Sequence, residues 1–332
     1  MSSLDDELTT AAQEHDFSGV VRVDRAGEPP LVRAFGLANR AYGIAMTPET
    51  RLGIASGSKA LTALVVMSLV EQGTLSLTTT ARSLLGADLP LVDDAVTIEH
   101  LLAHRSGIGD YLDDDADSGE YLMTVPVHRL ATTEQFLAVL DGHEQVSAPG
   151  ERFSYCNGAF VVLALLAERA SGVSYHDLVR QRVLAPAGMT ATDFLRTDDL
   201  PGDVAVGYVV VDGEVRTNAL HLPVLATGDG GAYATVGDLH RFWTALDEGR
   251  IVSHETVATM TTPVSDVPEE GLRYGLGFWL DPAGDGLQLV GADAGVSFRS
   301  GHSPSTGTTW TVVANTSDGA WPVAETVVAA LP

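Results

Sequence analysis

The stretch from Lys59 to Glu71 is apolar nearly all the way round, with Leu61, Leu64, Val65, Val66, Met67, Leu69 and Val70 on every side. A helix of that kind has no face to give to water, so the fold has to enclose it in other layers. Gly73 follows as its natural stop. Around this helix the pattern is divided. Ser2 to Asp16 predicts an amphipathic helix, and Phe17 to Asp24 and Leu31 to Asn39 alternate like strands about the turn Ala26-Gly-Glu-Pro-Pro. From about Thr74 to Pro201 the periodicity turns helical, best at Thr97–His104, Thr133–Leu140, Asn157–Ala170 and Tyr175–Leu184. Strand signals return at Val204–Val211, Glu214–Thr217, Leu287–Gly291, Val296–Arg299 and Thr308–Asn315, with helices at Val236–Glu248 and Pro322–Leu331. Strands at both ends and helices between them predict an α/β (α+β) fold. An antiparallel sheet is flanked by helices, and a mostly helical domain is inserted. The expected division is 1–73 with 202–332 for the sheet domain and 74–201 for the helical one.

Length and charge narrow the function. A chain of 332 residues, 45% hydrophobic, buries its own core without needing disulfides. Its single cysteine, Cys156, excludes an intrachain disulfide. A net charge of −25 argues against nucleic acid and against anionic lipid surfaces. The acidic N-terminus has no basic region followed by an apolar stretch, and no apolar run approaches the ~20 residues of a membrane span. The expectation is a cytoplasmic protein with no membrane or nucleic-acid partner, acting on a small molecule; its oligomeric state is left open.

Of the 19 Lys and Arg side chains, Lys59 is the only lysine. Lysine can give up its proton in a polar interior, which arginine cannot. Lys59 closes the sequence Ser56-Gly57-Ser58-Lys59 at the mouth of the apolar helix. Positions i and i+3 share a helix face, so Ser56 and Lys59 can meet. A neutral amine there could take the serine proton, and the helix N-terminus favours the charge that develops. The ordinary role of such a serine is to cap the helix. A second group, Tyr155-Cys156-Asn157, precedes another helix. Tyr155 and Asn157 can point to one side of an extended loop, the tyrosine to shuttle a proton and the asparagine to hold an amide. Read alone, they are equally a core tyrosine and a cap.

In order and spacing these segments resemble the serine β-lactamase/penicillin-binding-protein-like superfamily, in its class C-like branch. That branch contains class C β-lactamases, D-alanyl-D-alanine carboxypeptidases, D-amino-acid-specific peptidases and amidases, and carboxylesterases. Arg51 to Ala63 is similar to the nucleophile segment, Thr97 to Gly107 to the helix and turn that follow, and Pro149 to Asn157 to the Y-x-N segment. Leu184 to Thr190 and Gly230-Gly231 through Leu239 also fit. The resemblance implies the β-lactamase/transpeptidase-like fold, a site between the two domains, no cofactor and no metal. It implies Ser56 as the acylated nucleophile, Lys59 as its base, Tyr155 as the proton relay and Asn157 as a substrate-binding group. The backbone N–H of Ser56 would form half of an oxyanion hole.

The third motif of the family, Lys-Thr-Gly or His-x-Gly, is where this chain departs. Aligned with Gly291 to Ser300, it places Ala292 where the cation stands and Ala294 where the glycine stands. Gly295 then completes the oxyanion hole by its N–H, and Asp293 repels a substrate carboxylate. Arg299 or His302 are the cations available to compensate. The expected activity is that of a serine hydrolase on neutral esters, lactones or amides. The alternatives are a carboxypeptidase or β-lactamase-like enzyme, and a silent relative that binds a ligand or partner. Other signals carry less. His100 and His104 have the i, i+4 spacing of zinc ligands but lack a following glutamate and a third ligand. Asp113, Asp115 and Asp117 begin like a calcium loop, but Ser118 and Thr124 break its pattern. Gly275-Leu-Gly277 is a lone glycine pair, and no G-x-S-x-G occurs.

Overall fold

The computed structural model describes residues 3–112 and 123–331. The calcium-loop candidates Asp113, Asp115 and Asp117 lie outside the described residues.

Helix α1 (Leu4–Glu14) starts at a capping box in which Ser3 and Asp6 satisfy each other's backbone N–H. Its buried Leu8, Ala11 and Ala12 form one stripe. Strands β1 (Gly19–Asp24) and β2 (Leu31–Phe35) follow as a hairpin. The expected second strand runs to Asn39, but Gly36 at φ 74° breaks it, and Leu37–Asn39 pairs elsewhere in a small separate sheet. Helix α2 (Lys59–Glu71) has the expected limits, and every residue from Lys59 to Leu69 is buried. Helix α3 (Asn157–Ser171), buried from Asn157 to Ala167, packs against it and ends at Gly172, whose left-handed φ of 70° only glycine adopts cheaply. Helix α4 is Val236–Asp247.

Strands β3 (Ser265–Val267), β4 (Leu272–Tyr274), β5 (Trp279–Leu280), β6 (Leu287–Asp293), β7 (Val296–Ser303) and β8 (Thr308–Ala314) precede the closing helix α5 (Ala320–Ala329). They join β1 and β2 in one eight-stranded antiparallel sheet of order β3-β4-β5-β6-β7-β8-β1-β2. The two ends of the chain therefore meet inside the sheet, Gly19 opposite Ala314. Every residue of β8 is buried, as expected of a strand covered on both faces.

Helices α1 and α5 cover one face through a cluster that includes Leu8, Val21, Val312, Val323 and Val327. The other face belongs to a larger cluster that unites α2, α3 and α4 and includes residues from both 1–73 and 74–201. Two expected helices end differently. The Thr97–His104 segment is helical only over Ile98–Leu102, and the Tyr175–Leu184 segment passes through a π-helical stretch, Arg180–Leu184. Among the described residues no single helix is long and apolar enough to cross a membrane.

Candidate active site

Ser56 lies in a tight turn, Ala55–Ser58, that runs directly into α2. The turn is pressed against the sheet. A Cβ on Gly57 would stand 2.3 Å from the Phe298 ring, and one on Gly291 would stand 2.3 Å from the Ile54 carbonyl oxygen and 3.0 Å from the Ser56 nitrogen. Strand β6 can approach the serine this closely only because position 291 has no side chain.

Lys59 is 3% exposed, and its ammonium has three partners, as many as it has protons to donate. Nζ lies 2.9 Å from Ser56 Oγ, 2.7 Å from Asn157 Oδ1 and 2.7 Å from the Asp229 carbonyl oxygen. Burial pushes the ammonium toward losing its proton, but the Tyr155 oxygen and the carboxylates of Asp229 and Asp110 together outweigh it, so the net direction is up. This corrects the expectation of a resting neutral amine: the site brings Ser56 and Lys59 together but favours the charged lysine.

Tyr155 is held by its rings. It stacks on Trp279 at 6.2 Å between centroids and 15° between planes, and lies 4.3 Å from the His104 ring. The Lys59 ammonium sits 5.0 Å from its centroid. His104 was expected on a helix face with His100. Instead it follows the end of that helix at φ 52°, fully buried, and its Nδ1 accepts from the Cys156 N–H at 3.1 Å. Burial, then the nearby Lys59 charge, keeps its pKa well below the ordinary range, so the ring is neutral. His100 accepts from the Thr97 N–H through its own Nδ1.

Asn157 opens α3. Its N–H donates to Asp110 Oδ2 at 2.6 Å, and the N–H of Gly158 to Asp110 Oδ1 at 2.9 Å. A carboxylate in that place satisfies two of the donors a helix start leaves unpaired and suits its dipole. Asn157 Nδ2 also reaches Asp110 Oδ2, at 3.2 Å, which turns the amide oxygen toward Lys59. Tyr111 donates to Asp229 Oδ2 at 2.6 Å. Burial raises the pKa of Asp229 against the opposing pull of Lys59 and Tyr111.

The third motif needs a correction. Ala294 and Gly295 form the tip of the hairpin that joins β6 to β7, and the Gly295 N–H donates to Ser317 Oγ at 3.0 Å. Gly295 also packs against Gly207 and Tyr208, and with its N–H given to Ser317 it does not have the open N–H that an oxyanion donor needs. The glycine against the nucleophile turn is Gly291. In the hairpin register Asp293 pairs with Val296 and closes the turn, so Ala292 opposite Ser297 is a non-hydrogen-bonded pair. Its N–H consequently points out of the β6–β7 ladder, and Ala292 lines the same cavity as Ser56. A Lys-x-Gly frame ending at Gly291 puts buried Leu289 where the cation would stand. Either register leaves the strand without a cation, and neither proposed substitute serves. Arg299 is held by Gln288 Oε1 at 3.0 and 2.8 Å, and His302 lies 2.7 Å from Asp247.

A cavity of about 230 Å3 opens beside Ser56 and Asn157. Asp229, Asp293 and Asp318 line it, and among the described residues no arginine or lysine does. A much smaller cleft of about 10 Å3 lies on the other side of Ser56 and is lined by Lys59 and Tyr155.

A family model described as Beta-lactamase matches residues 4–331. The chain belongs to the beta-lactamase family. Within it, the chain is 34% identical to a penicillin binding protein from Bacillus halodurans, whose crystal structure superposes with a TM-score of 0.91 over 98% of this chain and 100% of that one. It is 28% identical to a penicillin-binding protein of Bacillus subtilis over 86% of its own length, spanning 64% of that protein. A D-aminopeptidase of Brucella abortus is 30% identical over 82% of this chain, which spans 51% of it. This beta-lactamase-family chain thus covers between half and two thirds of these two curated relatives. The match also supports the fold expected for the family.

Several site residues escaped sequence reading. Asp110 sits in an acidic run that reads as solvated loop. Asp229 contributes a backbone carbonyl, which any residue carries. Ala292 lines the cavity beside Ser56, and only strand register shows that its N–H lies outside the β6–β7 ladder.

Proposed function

We propose that the protein is a serine hydrolase that acts through an acyl-enzyme on esters, lactones or amides. One observation carries this reading. Of the three oxygens around Lys59 Nζ, those of Asn157 and Asp229 can only accept, whereas Ser56 Oγ can accept or donate. When Lys59 gives up a proton, its two remaining N–H groups keep the two obligate acceptors and its lone pair is left facing the serine proton. The site can therefore accommodate both protonation states with only the serine hydroxyl proton turning and no heavy atom moving.

In this reading the reacting form of Lys59 is the neutral amine, reached when the ammonium loses a proton to water against the pull of Tyr155, Asp229 and Asp110. Lys59 then takes the Ser56 proton as Oγ bonds to the substrate carbonyl carbon. The oxyanion is held by the N–H groups of Ser56 and Ala292. Collapse breaks the bond to the leaving group, which takes a proton relayed by Tyr155. Water repeats the sequence on the acyl-enzyme, and its addition returns a proton to Ser56 Oγ as that bond breaks.

The three carboxylates on the large cavity favour neutral or cationic substrates over those bearing a carboxylate. That separates this reading from a carboxypeptidase or β-lactamase-like enzyme, even though relatives are named penicillin-binding proteins; the name D-aminopeptidase keeps amides in scope. Asp293, on the cavity wall, is the residue of the third motif assigned to this discrimination. The test compares kcat/KM for acyl methyl esters with that for nitrocefin, with intact-mass detection of the acylated protein. Faster ester turnover with label on Ser56 is expected. Nitrocefin turnover equal to or above that of the esters overturns the substrate assignment. No labelling of Ser56 by any substrate or fluorophosphonate favours a relative that only binds.

A further inference from the structure

The two openings beside Ser56 differ in chemistry as well as in size. The large cavity reaches Ser56 and Asn157 but neither Lys59 nor Tyr155, and its walls include Met123, Leu195, Leu222 and Val296. The small cleft reaches Ser56, Lys59 and Tyr155 but not Asn157. The two groups assigned above to proton transfer, Lys59 and Tyr155, thus both line the small cleft and not the large cavity. At about 10 Å3, the cleft has room for about one water molecule.

We propose that the large cavity takes the acyl group and the small cleft takes the leaving group, so that the preferred substrates are primary amides and methyl esters with bulky acyl groups. The inference rests on the acyl-enzyme reading above. An expelled amine or alcohol needs a proton as its bond to the carbonyl carbon breaks, so it must depart beside Tyr155 and Lys59. There it meets a wall built from sheet rather than loop. Trp279 on β5 pairs with Gln288 on β6, and Trp279 is braced by Tyr155 stacked at 6.2 Å and Tyr274 edge-on at 4.8 Å. The Gln288 amide oxygen accepts two bonds from Arg299, which fixes that side chain too. Val290 completes the wall. Once the leaving group departs as ammonia or methanol, the same cleft admits the water that deacylates Ser56, beside the groups that must accept its proton.

The experiment uses two series of esters. In the first, a phenylpropionyl group is joined to methanol or to neopentyl alcohol, which differ in bulk far more than in acidity. The neopentyl ester is expected to lose at least about tenfold in kcat/KM. In the second, methyl esters carry acyl groups from acetyl to phenylpropionyl, and kcat/KM is expected to hold or rise. Val290→Ala, and separately Trp279→Ala, should raise the neopentyl-to-methyl ratio by widening the cleft. Equal turnover of methyl and neopentyl esters, with Ser56 acylated by both, overturns this inference alone. Failure of every ester to acylate Ser56 overturns it together with the hydrolase reading.

Discussion

Lys59 is the residue on which the chemistry turns, and its environment does two opposing things. Burial among apolar neighbours disfavours its charge, while Tyr155, Asp229 and Asp110 restore it. The amine acts as a base only after shedding the proton that those partners hold on it. Lys59→Arg should therefore lose about a hundred- to ten-thousandfold in kcat, measured on a methyl ester, although it keeps the positive charge. His104 belongs to the same scale. It is neutral in the fold, so it binds fewer protons there than in the unfolded chain, where its pKa is near 6.5. Its contribution to stability is present above that value and is lost as pH falls below it. Urea midpoints should fall between pH 7.5 and 5.5 more steeply for wild type than for His104→Gln. Ser56, Lys59, Tyr155 and Asn157 were legible because spacing, a lone lysine and a family resemblance singled them out. The charge state of Lys59 was not legible, because it depends on carboxylates 51 and 170 positions away in the chain.

At the scale of elements, the site is a meeting of three helix or strand ends. The start of α2 brings Ser56 and Lys59, the start of α3 brings Asn157, and the end of β6 brings Ala292. The two buried helices were readable from the length of their apolar runs, because both are enclosed over most of their length. Strands β3, β4 and β5 were not, since two or three residues are too few to show alternation. The third motif was misplaced for a related reason: a glycine's job is visible only when its neighbour across space is known. Gly291→Ala tests the corrected register. Its Cβ would meet the Ile54 carbonyl at 2.3 Å, so β6 must retreat and carry the Ala292 N–H away from the oxyanion. The expected cost is about a hundredfold or more in kcat with KM little changed, and about 1–3 kcal/mol of stability by denaturant titration. Gly295→Ala is the control for the displaced assignment. It should cost stability, because φ there is 69°, but should spare kcat in the fraction that folds.

For the whole molecule, the architecture expected from strands at both ends and helices between them matches what the sheet does, with β1 and β8 paired inside it. One apolar cluster links the helical middle to α2, so the parts on either side of the site share a core. We propose that 74–201 is a mostly helical insertion that packs on this shared core rather than on one of its own. Charge acts at this scale too. A net charge of −25 on 332 residues makes the compact state repel itself. Salt shortens that repulsion to about 8 Å at 0.15 M. Tm should therefore rise as sodium chloride is increased from 10 to about 150 mM, and an unchanged or falling Tm in that range would count against self-repulsion as a significant cost.

The central claim is that Lys59 delivers Ser56 as a nucleophile. Its most direct test is rapid-quench intact-mass analysis of wild type, Ser56→Ala and Lys59→Arg mixed with a phenylpropionyl methyl ester, followed by peptide mapping. The account predicts an acyl adduct on the Ser56 peptide of wild type within the first turnover, none on Ser56→Ala, and a severely slowed one on Lys59→Arg. An adduct on another residue, or one that forms at the wild-type rate in Lys59→Arg, would contradict it.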